Sequence, residues 1–491
     1  MLSRALRNVS LLEPMQAIQF PNVASGVLLP RAARFSAHVP VLVIGGGGCG
    51  LTAALAAQQN GAEVLVVERD ASALGTTAMS TGLIPAANSR FQRERGIVDS
   101  PEIFAADISK KTRGQTDAAI ALMLAEQSAK TVEWLIDDHQ VPLTLVDSFL
   151  YPGHSVKRMH GTPNRTGSEL MGALSSAIER RGISLLTEAL VQEIFADPET
   201  QCVRGVRIRR PDGSAEDLSC DAVILACCGF AGDAQLVRDY IPEIEGATFF
   251  GHSGNKGDAL RWGLGLNAAL RDLHSYQGHG GLAAGRGIPI LWPLIMEGGF
   301  QVNVSGMRFS NEARGYSEQA VDVVAQPGHI AWDIFDARLH QLMLEFDDYR
   351  DALGAHAIIQ ADSIIALAQL TGIDASGLDS TVLQVERLTR GEQSDMYGRD
   401  FTGKPVLQAP YYAVKVTGAL FHTQGGLVVN SDARVLREDG SALPNLYAGG
   451  GAARGISGPS SWGYMAGNGL LTATTFGRLA GSAAAALSKV T

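Results

Sequence analysis

The sequence predicts an α/β protein, a nucleotide-binding domain with a parallel sheet that is interrupted by an inserted α+β unit. Three observations lead there. The segment "HVPVLVIGGGGCGLTAALAAQQNGAEVLVVERD" (38–70) runs strand, glycine turn, helix and second strand in succession. A second buried-strand pattern, "CDAVILACCGFAG" (220–232), enters another glycine turn, and "LPNLYAGGGAARG" (443–455) repeats it near the C-terminus. The chain of 491 residues is too long for one ordinary domain. Matching elements near both ends therefore imply one domain split by an insertion. The expected division is an N-terminal arm (1–38), a first part of the nucleotide domain (39–270), a capping unit (271–409) and a second part of the nucleotide domain (410–491).

The first segment is the most informative. The apolar, β-branched run Val41–Ile44 suits a strand buried on both faces. Gly45 permits the tight turn that follows, Gly47 lets the backbone approach a pyrophosphate, and Gly50 lets helix and strand pack closely. The helix N-terminus adds free amides and partial positive charge for an anion. After the second strand, Val64–Val67, Glu68 lies 18 residues beyond Gly50, where an acid accepts hydrogen bonds from ribose hydroxyls. The glycine spacing occurs in its full strand–turn–helix–strand setting, so the segment is expected to bind a dinucleotide. Near the C-terminus, a small-residue helix is expected to begin near Asn468–Gly469.

The insert contains an apolar loop, "IPILWPLIMEGGF" (288–300), and a polar helical stretch over 336–371. A net charge of −10 argues against nucleic acid or an anionic membrane as partner. With 46% hydrophobic and 18% charged residues, the chain is a well-buried globular protein. No apolar run reaches the length of a membrane span. Five cysteines without a C-x-x-C pair suggest neither a disulfide framework nor a zinc site, and a reducing, cytoplasmic location is expected. Residues 1–38 hold four arginines against one acid and are expected to form an accessory arm.

Together with "SVKRMHGT" (155–162), "RFSNE" (308–312), "HTQGG" (422–426) and "LYAGGG" (446–451), these segments resemble the flavoprotein family of soluble fumarate reductases and succinate dehydrogenase flavoprotein subunits. That family also includes 3-ketosteroid dehydrogenases, and the resemblance spans about residues 39–491. It implies a Rossmann-like FAD-binding domain of the glutathione-reductase type with a cap over the isoalloxazine ring. It implies FAD contacts at Gly45, Gly47, Gly48, Gly50, Glu68 and Arg69, and at Thr76, Thr77, Ser80, Thr81 and Gly82 of the loop under the ring. Gly229, Gly450, Asn468, Gly469 and Leu470 complete the implied set. The loop 75–82 has no histidine for covalent attachment, so FAD is expected to be non-covalent. Gly451 stands where family members often have a glutamate.

The family moves a hydride between flavin and one carbon while a second group moves a proton on the neighbour. In its fumarate reductases the proton donor is an arginine five residues after the Asn of the "NE" motif. Counted from Asn311, that position is Tyr316, and Arg314 falls two short. A second arginine clamps the dicarboxylate shortly before the C-terminal "GN", where this chain has Tyr464. The paired tyrosines resemble the 3-ketosteroid dehydrogenase branch, in which one tyrosine removes a proton and another helps bind the ketone. A tyrosine with an ordinary pKa near 10 needs help from a helix N-terminus or a hydrogen-bond partner to act as a base. The expected activity is thus an FAD-dependent dehydrogenase or ene-reductase acting beside the carbonyl of a small apolar substrate, with an unknown electron acceptor or donor. Tyr316, Tyr464 and His422 are its expected working residues. The alternative is a reductase of an unsaturated carboxylate using Arg314 and His422. His279 is expected more as a structural histidine, and Arg158 and His160 as supports of the flavin loop or domain interface.

Overall fold

A computed structural model describes residues 25–489 of the chain. The run Val41–Ile44 is the buried end of a longer strand, Phe35–Ile44. It lies between two parallel neighbours, with Val41 opposite both Val64 and Ala222. Both faces are covered, which explains its unbroken apolar sequence. Its more exposed beginning pairs with Asp217–Cys220, so the strand is longer than its apolar core suggests. Part of the expected arm is thereby in the sheet. Val27–Leu28 also joins it, in parallel with Ile194–Phe195, while residues 1–24 of the expected arm lie outside the described residues.

The strand Ala215–Leu225 joins the two halves of the split domain. Its C-terminal half pairs with Phe35–Ile44 on one side and with Ala442–Ala448 on the other, both in parallel. The helices Gly48–Gln59 and Asn468–Ser488 then pack along each other. A Cβ at Gly477 would stand 2.5 Å from the Cys49 carbonyl oxygen, and one at Gly481 would stand 2.1 Å from that of Ala53. Only glycine allows the two backbones to come so close.

The cap has its own core, including Phe300, Ile334, Phe335, Leu339 and Val414. Its seven-stranded sheet centres on Tyr411–Thr423, flanked by Tyr276–Ala283, Ile330–Asp336 and Ile358–Ala361. The expected division at 409/410 falls just before this central strand, whose partners belong to the cap sheet. The division at 270/271 falls within the short strand Leu270–Arg271. Residues 336–371 are not one helical stretch. Helices Ala337–Met343, Asp347–Gly354 and Ile364–Thr371 are interrupted by Ile358–Ala361, which pairs with the central strand. Tertiary pairing overrides local helix preference there. The apolar segment 288–300 is not all loop either, since it forms the short strand Ile288–Pro289 and the helical turn Pro293–Met296.

The helix Tyr316–Val324 packs on Tyr276–Ala283, and glycines make the room. A Cβ at Gly278 would meet Ala320 Cβ at 2.7 Å, and one at Gly280 would meet Gln319 at 2.8 Å. This seat brings the first residue of the helix, Tyr316, over the strand carrying His279. No helix among the described residues is long and apolar enough to cross a membrane.

Candidate active site

One large cavity runs from the glycine turn of the first segment to the cap. At its nucleotide end, Gly45 has φ +106° and could carry no side chain, because a Cβ would lie 2.6 Å from the Ala226 carbonyl oxygen. At Gly47 a Cβ would meet only Thr77 Oγ1, at 3.9 Å, so that amide backbone faces open space. Glu68 is buried, and its Oε2 accepts from Gly46 N–H at 2.7 Å while Oε1 accepts from Asp70 N–H at 3.0 Å. Thr77 Oγ1 accepts from Gly48 N–H at 3.2 Å, fastening the 75–82 loop to the start of the helix. At the other end, Gly467, Gly469 and Leu470 line the cavity where the helix Asn468–Ser488 begins, while Asn468 itself is buried off the lining and donates from Nδ2 to Ser457 Oγ at 3.2 Å. A helix N-terminus at the cavity wall suits an anionic flavin ring edge. The residues present therefore fit FAD.

Gly50 does not line the cavity. A Cβ there would lie 1.8 Å from the Gly45 carbonyl oxygen, inside the first helical turn. Gly50→Ala is therefore expected to distort the cradle, leaving the purified protein colourless or with a small fraction of the wild-type flavin per chain. Flavin absorbance against protein concentration measures this, and wild-type occupancy would contradict it.

At the cap end, aromatic rings surround a small chamber. Tyr316 stacks on His279 with ring centroids 5.1 Å apart and faces Tyr464 edge-on at 6.1 Å. His279 also stacks on Phe421 at 5.3 Å and meets Trp292 at 5.7 Å. His422 lies 5.8 Å from Tyr464, and both converge on Gly469, where a Cβ would meet His422 Nε2 at 2.9 Å and the Tyr464 hydroxyl at 3.7 Å.

The protonation states follow from burial. Burial pushes the Tyr316 phenol well above its ordinary value, and the neighbouring Tyr464 and Tyr151 push it further. Burial likewise raises Tyr464, with the Gly469 amide opposing it. Burial lowers His279 to about 3 and His422 to about 4, so both rings are neutral at pH 7. A backbone N–H can only donate, so the bond from Gly281 N–H to His279 Nδ1 at 3.1 Å leaves the proton of this imidazole on Nε2. His422 Nδ1 lies 3.2 Å from both the Thr423 carbonyl and the Gln424 amide nitrogen, contacts that call for opposite tautomers. The chamber thus offers phenols and neutral imidazoles. Arg69 is the one arginine or lysine among the described residues lining the whole cavity, and its Nη1 donates to the Gly254 carbonyl near the nucleotide end.

Comparison with known proteins agrees with the cradle. The family described as FAD binding domain matches residues 40–470. The chain belongs to this FAD-binding flavoprotein family. It is 29% identical over 453 residues to the fumarate reductase (cytochrome) of Shewanella frigidimarina, covering 92% of this chain and 78% of that one. The open conformation of a flavocytochrome c3 fumarate reductase superposes with a TM-score of 0.79 at 27% identity, covering 93% of this chain and 80% of that one. The 3-ketosteroid Δ1-dehydrogenase of Sterolibacterium denitrificans, at 22% identity and TM-score 0.75, covers 91% of this chain and 99% of that one and shares the fold. The flavoprotein is an FAD-dependent oxidoreductase acting on CH–CH or C=C bonds.

Most of the anticipated residues of this flavoprotein line the cavity. They are Gly45, Gly47, Gly48, Glu68, Arg69, Thr76, Thr77, Ser80, Thr81, Gly450, Gly469, Leu470, Tyr316, Tyr464 and His422. Others do not. Gly82 (φ +66°) is a turn residue packed against the Thr166 carbonyl, Gly229 clears space for Thr423, and Asn468 is buried behind the lining against Ser457. Arg314, expected as the alternative catalytic residue, does not reach the cavity. It sits in the turn Glu312–Arg314, half exposed, paired with Asp322 at 2.7 Å, and lines a separate surface depression. Gly315, at φ +146°, ends that turn, so Arg314 and Tyr316 diverge. Arg158 is buried between Asp99 and Asp107, and His160 bonds Ser89 Oγ; neither lines the cavity. His154, which sequence reasoning passed over, bonds the Ala466 carbonyl at 2.9 Å and steadies the turn leading to Asn468. Trp292, Phe421 and Asp348 of the wall were also missed. For Trp292 the only signal was its place within the apolar segment 288–300.

Proposed function

We propose that this flavoprotein reduces a carbon–carbon double bond conjugated to a neutral carbonyl, with Tyr316 as the proton donor. The observation that carries this is the pair of protonated phenols, Tyr316 and Tyr464, beside two neutral imidazoles, with no guanidinium among the described residues lining the chamber. When bound, FAD supplies the hydride. The proton must then come from a group that holds one at neutral pH, and the Tyr316 phenol does. In the opposite direction the same residue would have to act as a tyrosinate, and among the described residues its neighbours Tyr464, Tyr151 and Glu318 all raise its pKa further. Tyr464 O–H and His279 Nε2–H are the donors available to a carbonyl oxygen that gains negative charge. FAD is held without a covalent bond, because the loop 75–82 has no histidine to form one.

The sequence relatives favour a second reading, reduction of an unsaturated carboxylate, more than they favour a ketone. In that case His279 and His422 would receive the carboxylate, since Arg314 is directed elsewhere. Neutral imidazoles lack the bidentate, charge-assisted grip of arginine. Anaerobic assays with dithionite-reduced viologen separate the readings. The enone 4-phenyl-3-buten-2-one is expected to be reduced with kcat/KM about 10²-fold above that of fumarate, the counterpart of roughly 1.5–3 kcal/mol per missing charged hydrogen bond. Brisk turnover of fumarate or cinnamate with none of the enone would reject the carbonyl reading in favour of the acid.

A further inference from the structure

Among the described residues, Asp348 is the one carboxylate in the cavity wall on the cap side. It lies in the first turn of the helix Asp347–Gly354, which packs on the strand Ile288–Pro289. That strand's Pro289 and the following Leu291, Trp292 and Pro293 line the same cavity with apolar groups. The other two carboxylates lining the cavity, Glu68 and Asp258, lie with the nucleotide-domain residues. The Asp348 carboxylate has no hydrogen bond or ion pair with any described residue. Its charged helix neighbours do not satisfy it, because Arg350 pairs with Asp347, while Asp351 is a like charge. Burial and Asp351 push the carboxyl up to about 6, so it still carries charge at pH 7.5. A wholly apolar ligand filling this chamber would strip the carboxylate of water and return nothing.

We propose that Asp348 selects substrates carrying a protonated nitrogen at the end remote from the reducible bond. This rests on the chamber being the substrate site proposed above. A primary ammonium supplies a charge-assisted donor and neutralises the carboxylate, while Pro289, Leu291 and Trp292 accept an aromatic or aliphatic spacer. The apolar wall and the remote acid together describe an amphipathic substrate, in contrast to a uniformly apolar one.

The test reads binding, separately from turnover, by titrating the oxidised holoenzyme and following the flavin absorbance. The probes are 4-phenyl-3-buten-2-one and its 4-(aminomethyl)phenyl analogue, with cinnamate and 4-(aminomethyl)cinnamate as the matching acid pair. At pH 7.5 the aminomethyl member is expected to bind at least about tenfold more tightly, equivalent to 1.4 kcal/mol. In Asp348→Asn that ratio is expected to fall to about one. A purely structural role at the helix start would lower the thermal midpoint and leave the ratio unchanged. Equal affinities in the wild type, a ratio that survives Asp348→Asn, or no flavin perturbation by any probe overturns the proposal. If only the acids perturb the flavin, the carbonyl reading fails and the acid pair alone decides the preference for a cation.

Discussion

Tyr316→Phe is expected to lower kcat for the reductive reaction by about 10²–10⁴-fold, the usual contribution of a positioned proton donor. The substitution removes one hydroxyl and keeps the ring that stacks on His279 and meets Trp292, so flavin content and thermal midpoint should hold. Substrate affinity, read from the flavin spectrum, should change only a few-fold, because the lost interaction belongs to the transition state. In the wild type this group should impose no fall in rate between pH 7 and 9, since burial keeps the phenol protonated there. A Tyr316→Phe enzyme with kcat within threefold of wild type would remove the assignment. A wild-type rate rising tenfold per pH unit over that range would instead indicate a tyrosinate acting as base.

The parts of this site that could be read from the sequence are those where chain spacing and spatial spacing coincide. From Gly45 to Glu68 the strand, turn, helix and strand are consecutive, so residue counts translate directly into positions around a nucleotide. Tyr316 and Tyr464 were found by counting from Asn311 and Asn468, residues that open a turn and a helix. Counting failed at Arg314, because one glycine with positive φ separates two side chains that an extended segment would have placed on one face. It also failed for the far wall. His279 and Phe421 come together through antiparallel pairing of Tyr276–Ala283 with Tyr411–Thr423, strands more than a hundred residues apart, and Trp292 follows Ile288–Pro289, which pairs with the first of them. Asp348 left no trace in the local pattern, since in "EFDDYR" it looks like any acid in the first turn of a helix. The cap boundary slipped for the same reason: Tyr411–Thr423 is an apolar strand whose sheet is decided by its partners.

The second large effect is expected at Glu312, four residues before Tyr316. Its side chain is 1% exposed, and Oε1 accepts from Gln301 N–H at 3.1 Å and from Arg308 Nε at 3.0 Å. Oε2 accepts from Arg308 Nη2 at 2.8 Å and from Arg399 Nη1 at 3.1 Å. Arg308 also holds buried Asp395 at 2.8 Å, and Arg399 donates to the carbonyls of Ile295 and Gly299. Two guanidinium groups and two carboxylates therefore balance inside the cap. Glu312→Gln leaves one buried positive charge unmatched, and breaking a buried pair from one side costs about 3–5 kcal/mol. A chemical-denaturation midpoint well below wild type at pH 7 is the expected result, with kcat falling as well because this network anchors the turn that aims Tyr316. The pH dependence has a definite sign. Burial alone would raise the Glu312 carboxyl, but Arg399 and Arg308 outweigh it and hold it below the ordinary carboxylate range. Stability from a lowered carboxylate is fully present above its unfolded pKa, near 4.3, and is lost as pH falls through the lower folded value. The gap between wild type and Glu312→Gln should therefore be constant from pH 6 to 8 and should narrow below about pH 4. A variant with an unchanged midpoint would mean that the cap tolerates the lone charge by admitting water, and the buried network would then have no part in aiming Tyr316.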